Sequence, residues 1–209
     1  IHGKMTSLSQ MFEAVGSFKA GMIDEKELCY REESCCPSCG SCSGMFTANS
    51  MNCLCEAIGI ALPGNGTTPA PFSARIQLAK KAGEQVMELV RRNICPCDII
   101  TEKALENAIC VDMALGCSTN SALHLPAIAH EAGLKLELRK FNEISEKVPN
   151  LCHLAPAGET FMEELYYAGG VAAVMKELAD AGYLHTDILT ATGKTVAENI
   201  ASAANPNPE

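Results

Sequence analysis

Apolar residues recur at helical spacing along most of the chain. Leu8, Met11, Phe12, Val15 and Phe18 predict an amphipathic helix over residues 5–20, stopped by Gly21. A second helix is expected from Cys42 to about residue 61, closed by the turn Leu62-Pro63-Gly64-Asn65-Gly66-Thr67-Thr68-Pro69. A third covers roughly residues 71–92. Thr101 caps a fourth, with Glu102 in its first turn and Ala104, Leu105, Ala108 and Ile109 along its apolar face. Gly116-Cys117-Ser118-Thr119-Asn120 interrupts that helix, and Ser118 or Thr119 is placed to cap the next, which carries Leu123, Leu125, Ile128 and Ala129 up to Gly133. Residues 134–138, Leu-Lys-Leu-Glu-Leu, alternate with period two and predict a strand. Helices follow over residues 141–147, over 160–182 with a break at Gly169-Gly170, and after Thr195, while the tail 205–209 reads as a linker or frayed end. Together these elements predict an α/β fold: a helix-dominated part of a layered domain in which long helices provide the crossovers of a mostly parallel sheet.

With 209 residues, 47% of them apolar, the chain is long enough to bury a core. A net charge of −9 supplies no basic stripe for phosphate backbones, so nucleic acid is excluded as a partner and small-molecule chemistry is favoured. No apolar run is long enough to span a membrane and no signal-peptide pattern is present, so a cytoplasmic location is expected. The chain opens at Ile1-His2-Gly3-Lys4 already in mid-pattern and reads as an internal piece of a longer protein.

Twelve cysteines is a high number, and they sit in clusters and within helical stretches rather than at the spacing of a disulfide framework. In a reducing compartment this points to metal binding, catalysis or burial. Cys29, Cys95, Cys97, Cys110 and Cys152 read as packing or loop-edge residues. The run Cys35-Cys36-Pro37-Ser38-Cys39-Gly40-Ser41-Cys42 is different, because it crowds thiols into a turn that opens onto a helix. There Cys42 is expected to meet free backbone N–H groups and the positive end of the helix dipole, which favour its thiolate. Cys36-x2-Cys39-x2-Cys42 has the spacing of the first three ligands of a ferredoxin-type run, although Phe46 stands where a fourth cysteine belongs. Cys53 lies about 16 Å farther along a helix axis, too far to share one metal with Cys42. Structural zinc on Cys36 and Cys39 is the other local reading, and it lacks a second ligand pair.

Beyond the cysteines, Cys36-Pro37-Ser38-Cys39-Gly40-Ser41-Cys42-Ser43-Gly44-Met45-Phe46-Thr47-Ala48-Asn49-Ser50-Met51-Asn52 and the Leu62-Pro63-Gly64-Asn65-Gly66-Thr67 turn resemble the dihydroxy-acid dehydratases. The resemblance continues through Asp112-Met113-Ala114-Leu115-Gly116-Cys117-Ser118-Thr119-Asn120, Met162-Glu163-Glu164-Leu165 and Ala168-Gly169-Gly170-Val171 to Thr192-Gly193-Lys194-Thr195, so it covers nearly the whole chain. Sugar-acid dehydratases of the wider family look alike around Gly-x-Cys and Ser-Thr-Asn. The resemblance implies an iron–sulfur hydro-lyase, with a [2Fe–2S] or [4Fe–4S] cluster and Mg²⁺, that converts 2,3-dihydroxy acids to 2-oxo acids in branched-chain amino-acid synthesis. It also implies that Cys42 is one cluster ligand and that Cys36 and Cys39 are turn residues. By the same resemblance, a Cys-Asp-Lys motif with further cluster and magnesium ligands lies upstream of Ile1, and the catalytic serine lies in a barrel-like domain beyond Glu209. Residues 1–209 are then part of an N-terminal cluster-binding domain, inactive alone, with an exposed apolar surface where the other segments dock and a homo-oligomeric parent enzyme.

Two loops are further candidates for a dihydroxy-acid substrate. Gly64-Asn65-Gly66-Thr67 has N–H groups that suit a carboxylate, and Ser118, Thr119 and Asn120 place small polar side chains at a helix start. Each loop also has a purely structural explanation, as a turn and as a helix cap. His124 reads as an interior histidine and His153 as a ligand without partners. The roles of Cys36, Cys39 and Cys117 stay open at the level of local pattern. A small zinc module and a non-catalytic packing segment remain the competing classes, to be separated by metal analysis.

Overall fold

The computed structural model describes residues 1–3, 6–36 and 39–206. The expected helix start at Met5, the Pro37-Ser38 part of the cysteine turn and the end of the tail at 207–209 lie outside the described residues. Among the described residues the elements are helices, in the order α1 (Leu8–Lys19), α2 (Glu25–Ser34), α3 (Thr47–Ile58), α4 (Ser73–Arg92), α5 (Pro96–Ile99), α6 (Glu102–Leu115), α7 (Ser121–Glu131), α8 (Arg139–Ser145), α9 (Met162–Tyr167), α10 (Gly170–Asp180) and α11 (Val196–Ile200).

Local chemistry sets most boundaries. The Thr101 side chain accepts a hydrogen bond from the Ala104 N–H and starts α6, and Thr195 does the same for α11 through Glu198. Gly59 and Gly116 end α3 and α6 in the left-handed conformation, with φ of 94° and 65°, which a residue with a side chain rarely adopts. α2 has no counterpart in the apolar pattern, because none of its residues is buried; Asp24 starts it by accepting from the Glu27 N–H. Asn120, in helical conformation and without a side-chain cap bond, precedes α7, and the expected Ser118 bond forms one step earlier, its Oγ accepting from the Asn120 N–H at 3.4 Å.

The core is built around α3 and α6, which pack on each other more extensively than any other pair. α10 lies against both, α7 meets both, α8 closes against α6, and α9 and α11 attach to α10. Leu54 and Ile58 of α3, Leu105, Ile109 and Leu115 of α6, Leu125 of α7 and Leu178 of α10 are fully buried. Each such side chain contributes about 1.5–3 kcal/mol relative to an exposed one. α4 contrasts with this core: none of its residues is buried, and Ile76, Val86, Met87 and Val90 are exposed along it. Its ends are tied down by arginines, Arg75 to Asn65 and Thr68, and Arg92 to the Gly193 carbonyl.

The expected sheet is not present among the described residues. Residues 134–138 are extended up to the turn at Leu138 that leads into α8, and Leu134 and Leu136 turn partly inward while Lys135 and Glu137 face out, but no neighbouring strand pairs with them. Leu138 is 61% exposed, and Lys135 and Arg139 both pair with Glu137 on the outer side. Period two here marks an extended connector lying on a helical body, not a ladder. The backbone bridges that do form, Leu154 with Thr160 and Leu189 with Thr195, are isolated. The described fold is therefore helix-rich, and the α/β assignment is corrected to that extent.

Two glycine substitutions separate close packing from helix propensity. A Cβ on Gly66 would lie 2.9 Å from the Cys53 Cα and 2.9 Å from Val171 Cγ2, whereas one on Gly83 of α4 meets nothing within 4 Å. Gly66→Ala is expected to destabilise the chain by about 1–3 kcal/mol. Gly83→Ala is expected to stabilise it by about 0.5–1 kcal/mol. Urea melts of the two variants against the parent chain check both signs.

Candidate functional site

The segment 39–46 reaches α3 without becoming part of it. Met45 N–H donates to the Ala155 carbonyl at 2.6 Å and the Met162 N–H donates to the Ser43 carbonyl at 2.8 Å, so this backbone is committed to tertiary bonds. A Cβ on Gly44 would lie 2.8 Å from the Ala155 oxygen, which shows how closely the segments approach. α3 therefore begins at Thr47, and Cys42 sits five residues before it in a loop. The expected placement of Cys42 in the first helical turn is corrected accordingly.

Cys42 is half-buried and lines a cleft of about 450 Å³ with Ser43, Asn49, Asn52, Thr67 and Thr68 on the walls. Arg75 and Glu163 complete the rim as its charged groups. The Arg75 guanidinium is held by the Asn65 side chain at 3.2 Å, by the Asn65 carbonyl at 2.9 Å and by the Thr68 carbonyl.

The polar face of α3 holds the surrounding loops. Asn49 Nδ2 donates to the Cys42 carbonyl and, at 2.6 Å, to the Gly44 carbonyl, while Asn49 Oδ1 accepts from Ser41 Oγ at 2.6 Å. Ser50 Oγ accepts from the Ser118 N–H at 2.9 Å. Cys53 is buried, with its Sγ 3.6 Å from the Gly66 carbonyl, and burial pushes its thiol well above the ordinary range. Glu56 accepts from the Gly64 N–H at 3.0 Å and the Gly66 N–H at 2.9 Å. Burial pushes its carboxyl up to about 7, against the downward pull of those two N–H groups and of Arg75.

This geometry answers for each candidate residue. The N–H groups of the Gly64-Asn65-Gly66 turn are already engaged: Glu56 takes those of Gly64 and Gly66, and the Asn65 N–H donates to the Leu62 carbonyl. The turn does bind a carboxylate, but it is the chain's own. Gly64 and Asn65 are not on the cleft wall, whereas Gly66 is. Ser118, Thr119 and Asn120 also lie off that wall; Ser118 Oγ accepts from Asn120 Nδ2 at 2.8 Å. Cys36 and Cys39 are exposed, and Cys39 lines the same cleft as Cys42 whereas Cys36 does not. The neighbouring Cys35 thiol, 3.9 Å away, raises the pKa of Cys36, with a smaller contribution from burial. Among the described residues no group of three or more His, Cys, Asp or Glu side chains is arranged to hold a metal ion.

Behind Ser50, burial pushes the Asp112 carboxyl up to about 6, opposed by the Ser121 hydroxyl at 2.8 Å and by Cys117. Burial and the Asp112 charge together push the Cys117 thiol far up, and its Sγ lies 3.8 Å from Met45 Sδ. Cys117 thus lies between the two loops with its thiol form favoured over the thiolate. Sequence reasoning missed Asn49, Ser50, Glu56 and Asp112. The available signal was a carboxylate inside the apolar run Cys53-Leu54-Cys55-Glu56-Ala57-Ile58, where an unpaired charge is too costly to keep.

A sequence model described as the N-terminal part of dihydroxy-acid/6-phosphogluconate dehydratases matches residues 1–199. The chain belongs to this family. It is 62% identical over all 209 residues to proteins named dihydroxy-acid dehydratase from Lachnoclostridium phytofermentans and Lachnospira eligens, and 58% identical to one from Carboxydothermus hydrogenoformans. It spans about 38% of the length of these dehydratases. As the soft donor of a dehydratase cluster, Cys42 fits: it is half-buried, on a cleft wall, and its backbone is fixed. A complete ligand set is not assembled among the described residues, so the fit is that of one ligand among several.

The raised carboxyl of Glu56 makes a signed prediction. Between pH 4.5 and about 7 the folded chain keeps a proton on Glu56 that the unfolded chain has lost. The corresponding stability is present below pH 4.5 and lost as pH rises to about 7. The stability difference between the parent chain and Glu56→Gln is expected to fall by up to ~3 kcal/mol across that window. Urea melts at half-unit pH steps measure it, and parallel curves for the two proteins would contradict the assignment.

Proposed function

We propose that this chain is the cluster-bearing part of a hydro-lyase that removes water from a 2,3-dihydroxy acid to give a 2-oxo acid on the route to branched-chain amino acids. The observation that carries this reading is 58–62% identity, over the whole chain, to proteins named dihydroxy-acid dehydratase. Cys42 would hold one corner of an iron–sulfur cluster, [2Fe–2S] or [4Fe–4S], and the remaining thiolates and the Mg²⁺ ligands come from segments outside residues 1–209. When bound, the cluster supplies a Lewis-acidic iron to the departing 3-hydroxyl while Mg²⁺ orients the carboxylate end.

The work of this chain is to hold and to surround. The Ser43, Thr67 and Thr68 hydroxyls and the Asn52 amide line the cleft and suit a substrate rich in hydroxyl groups. Arg75 adds positive charge at the rim, which favours a carboxylate-bearing acid over a neutral polyol. The base that takes the C2 proton comes from outside this chain, in a C-terminal barrel-like domain. Among the described residues no helix is long and apolar enough to cross a membrane, in keeping with a cytoplasmic enzyme acting on a small molecule. The exposed apolar residues of α4, Ile76, Val86, Met87 and Val90, suit a face covered by the rest of the protein or by another subunit of a homo-oligomer.

In the complete enzyme, Cys42→Ser is expected to bring iron and sulfide to background and to abolish 2-oxo acid formation from 2,3-dihydroxyisovalerate. Cys53→Ser is expected to keep the cluster and cost about 1–2 kcal/mol of stability, because it changes only a buried contact. The 209-residue chain, reconstituted anaerobically with iron and sulfide, is expected to hold no stable cluster and to show no turnover. Iron content unchanged in Cys42→Ser, or turnover by the bare chain, would overturn the assignment.

A further inference from the structure

The geometry points to Asn49 as a positioning residue that fixes Cys42 for metal binding, an inference that rests on the reading of Cys42 as a cluster ligand. Asn49 is buried in the first turn of α3, at 6% exposure, and its amide spans residues 41–44, the segment that brackets the thiol. Both amide hydrogens are spent on carbonyls, those of Cys42 and Gly44, and the amide oxygen accepts the Ser41 hydroxyl. This pattern also settles which way the amide points, since two carbonyls can only accept. Side chains in an α-helix lean toward its N-terminus, so a residue in the first turn reaches the preceding loop as no residue farther along can.

The chemistry needed at this position is specific. An aspartate has the same shape but no hydrogens to donate, a leucine leaves two carbonyls unpartnered, and a glutamine is one carbon too long. Asparagine is a weak helix former, so its presence inside the first turn calls for a local reason, and the triple bond supplies it. The tertiary bonds of Met45 and Ser43 hold the chain after the thiol. Asn49 is the side chain that holds the carbonyl of Cys42 itself. With that carbonyl tied to a core helix, the thiol explores fewer orientations, and a metal bound to it loses a ligand less often. Outer partners of this kind tune metal affinity by about 10–100-fold in other proteins.

The test uses the complete enzyme, reconstituted anaerobically, with iron release to a ferrous chelator followed by absorbance. Asn49→Ala is expected to release iron about tenfold faster than the parent, while its metal-free form still unfolds cooperatively, at a lower temperature than the parent. Ser41→Ala, an exposed loop change that removes one of the three bonds, is expected to release it about threefold faster. Parent-like release from a folded Asn49→Ala overturns the inference. If Asn49→Ala does not fold, parent-like release from Ser41→Ala overturns it instead. Cys42→Ser is the separating control: full iron in that variant means that the ligand assignment has failed, whereas loss of iron there with parent-like release in the other two means that only the role of Asn49 has.

Discussion

The site depends on one buried helix carrying polar side chains where an ordinary core helix would carry leucines. Asn49, Ser50, Cys53 and Glu56 of α3 bond respectively to the cysteine loop, to the loop before α7, and, for the last two, to the glycine turn. The adjoining face, with Leu54, Ala57 and Ile58, is packed against the rest of the core and fully buried. The helix cannot slide or rotate without opening that packing. Loops that would otherwise be mobile surface segments inherit the rigidity of the core through four side chains.

Glu56 shows how this arrangement is kept. A carboxylate in an apolar interior is tolerated only when its lone pairs are occupied, and the two glycine N–H groups occupy them. Glycine is required at Gly66 because the turn presses on α3 and α10 with no room for a Cβ. The same turn presents Thr67 and Thr68 to the cleft and is held by Arg75, which also lines it. One buried carboxyl group thus fixes the backbone whose next residues form the wall.

Much of the helical framework was legible because it is written in local signals. Thr101 and Gly116 bracket α6, Gly169-Gly170 separates α9 from α10, and Thr195 starts α11. α2 was invisible to apolar periodicity because it buries nothing, although Asp24 and Glu27 carried its starting signal. The alternation at residues 134–138 was real but ambiguous: an extended connector with one side on the body has the same period as a strand, and only a partner distinguishes them. At Cys42 the local pattern was correct about a loop leading to a helix and wrong about the boundary. The backbone of residues 43–45 is claimed by Met162 and Ala155, more than a hundred residues away, and no local pattern records such bonds.

That long-range claim explains why the candidate site is one-sided. The acids with raised pKa, Glu56 and Asp112, are turned inward and already partnered, by glycine N–H groups and by the Ser121 hydroxyl. The cleft is left with hydroxyls, amides, the thiols of Cys39 and Cys42, the Arg75 cation and an exposed glutamate at the rim. Such a wall offers hydrogen-bonding groups, a cation and soft sulfur donors, while the two buried acids behind it are already committed to holding loops. The bonds that fix the Cys42 backbone tie the cysteine loop to α3 and to the segments around Ala155 and Met162, so the wall keeps its shape as part of the core.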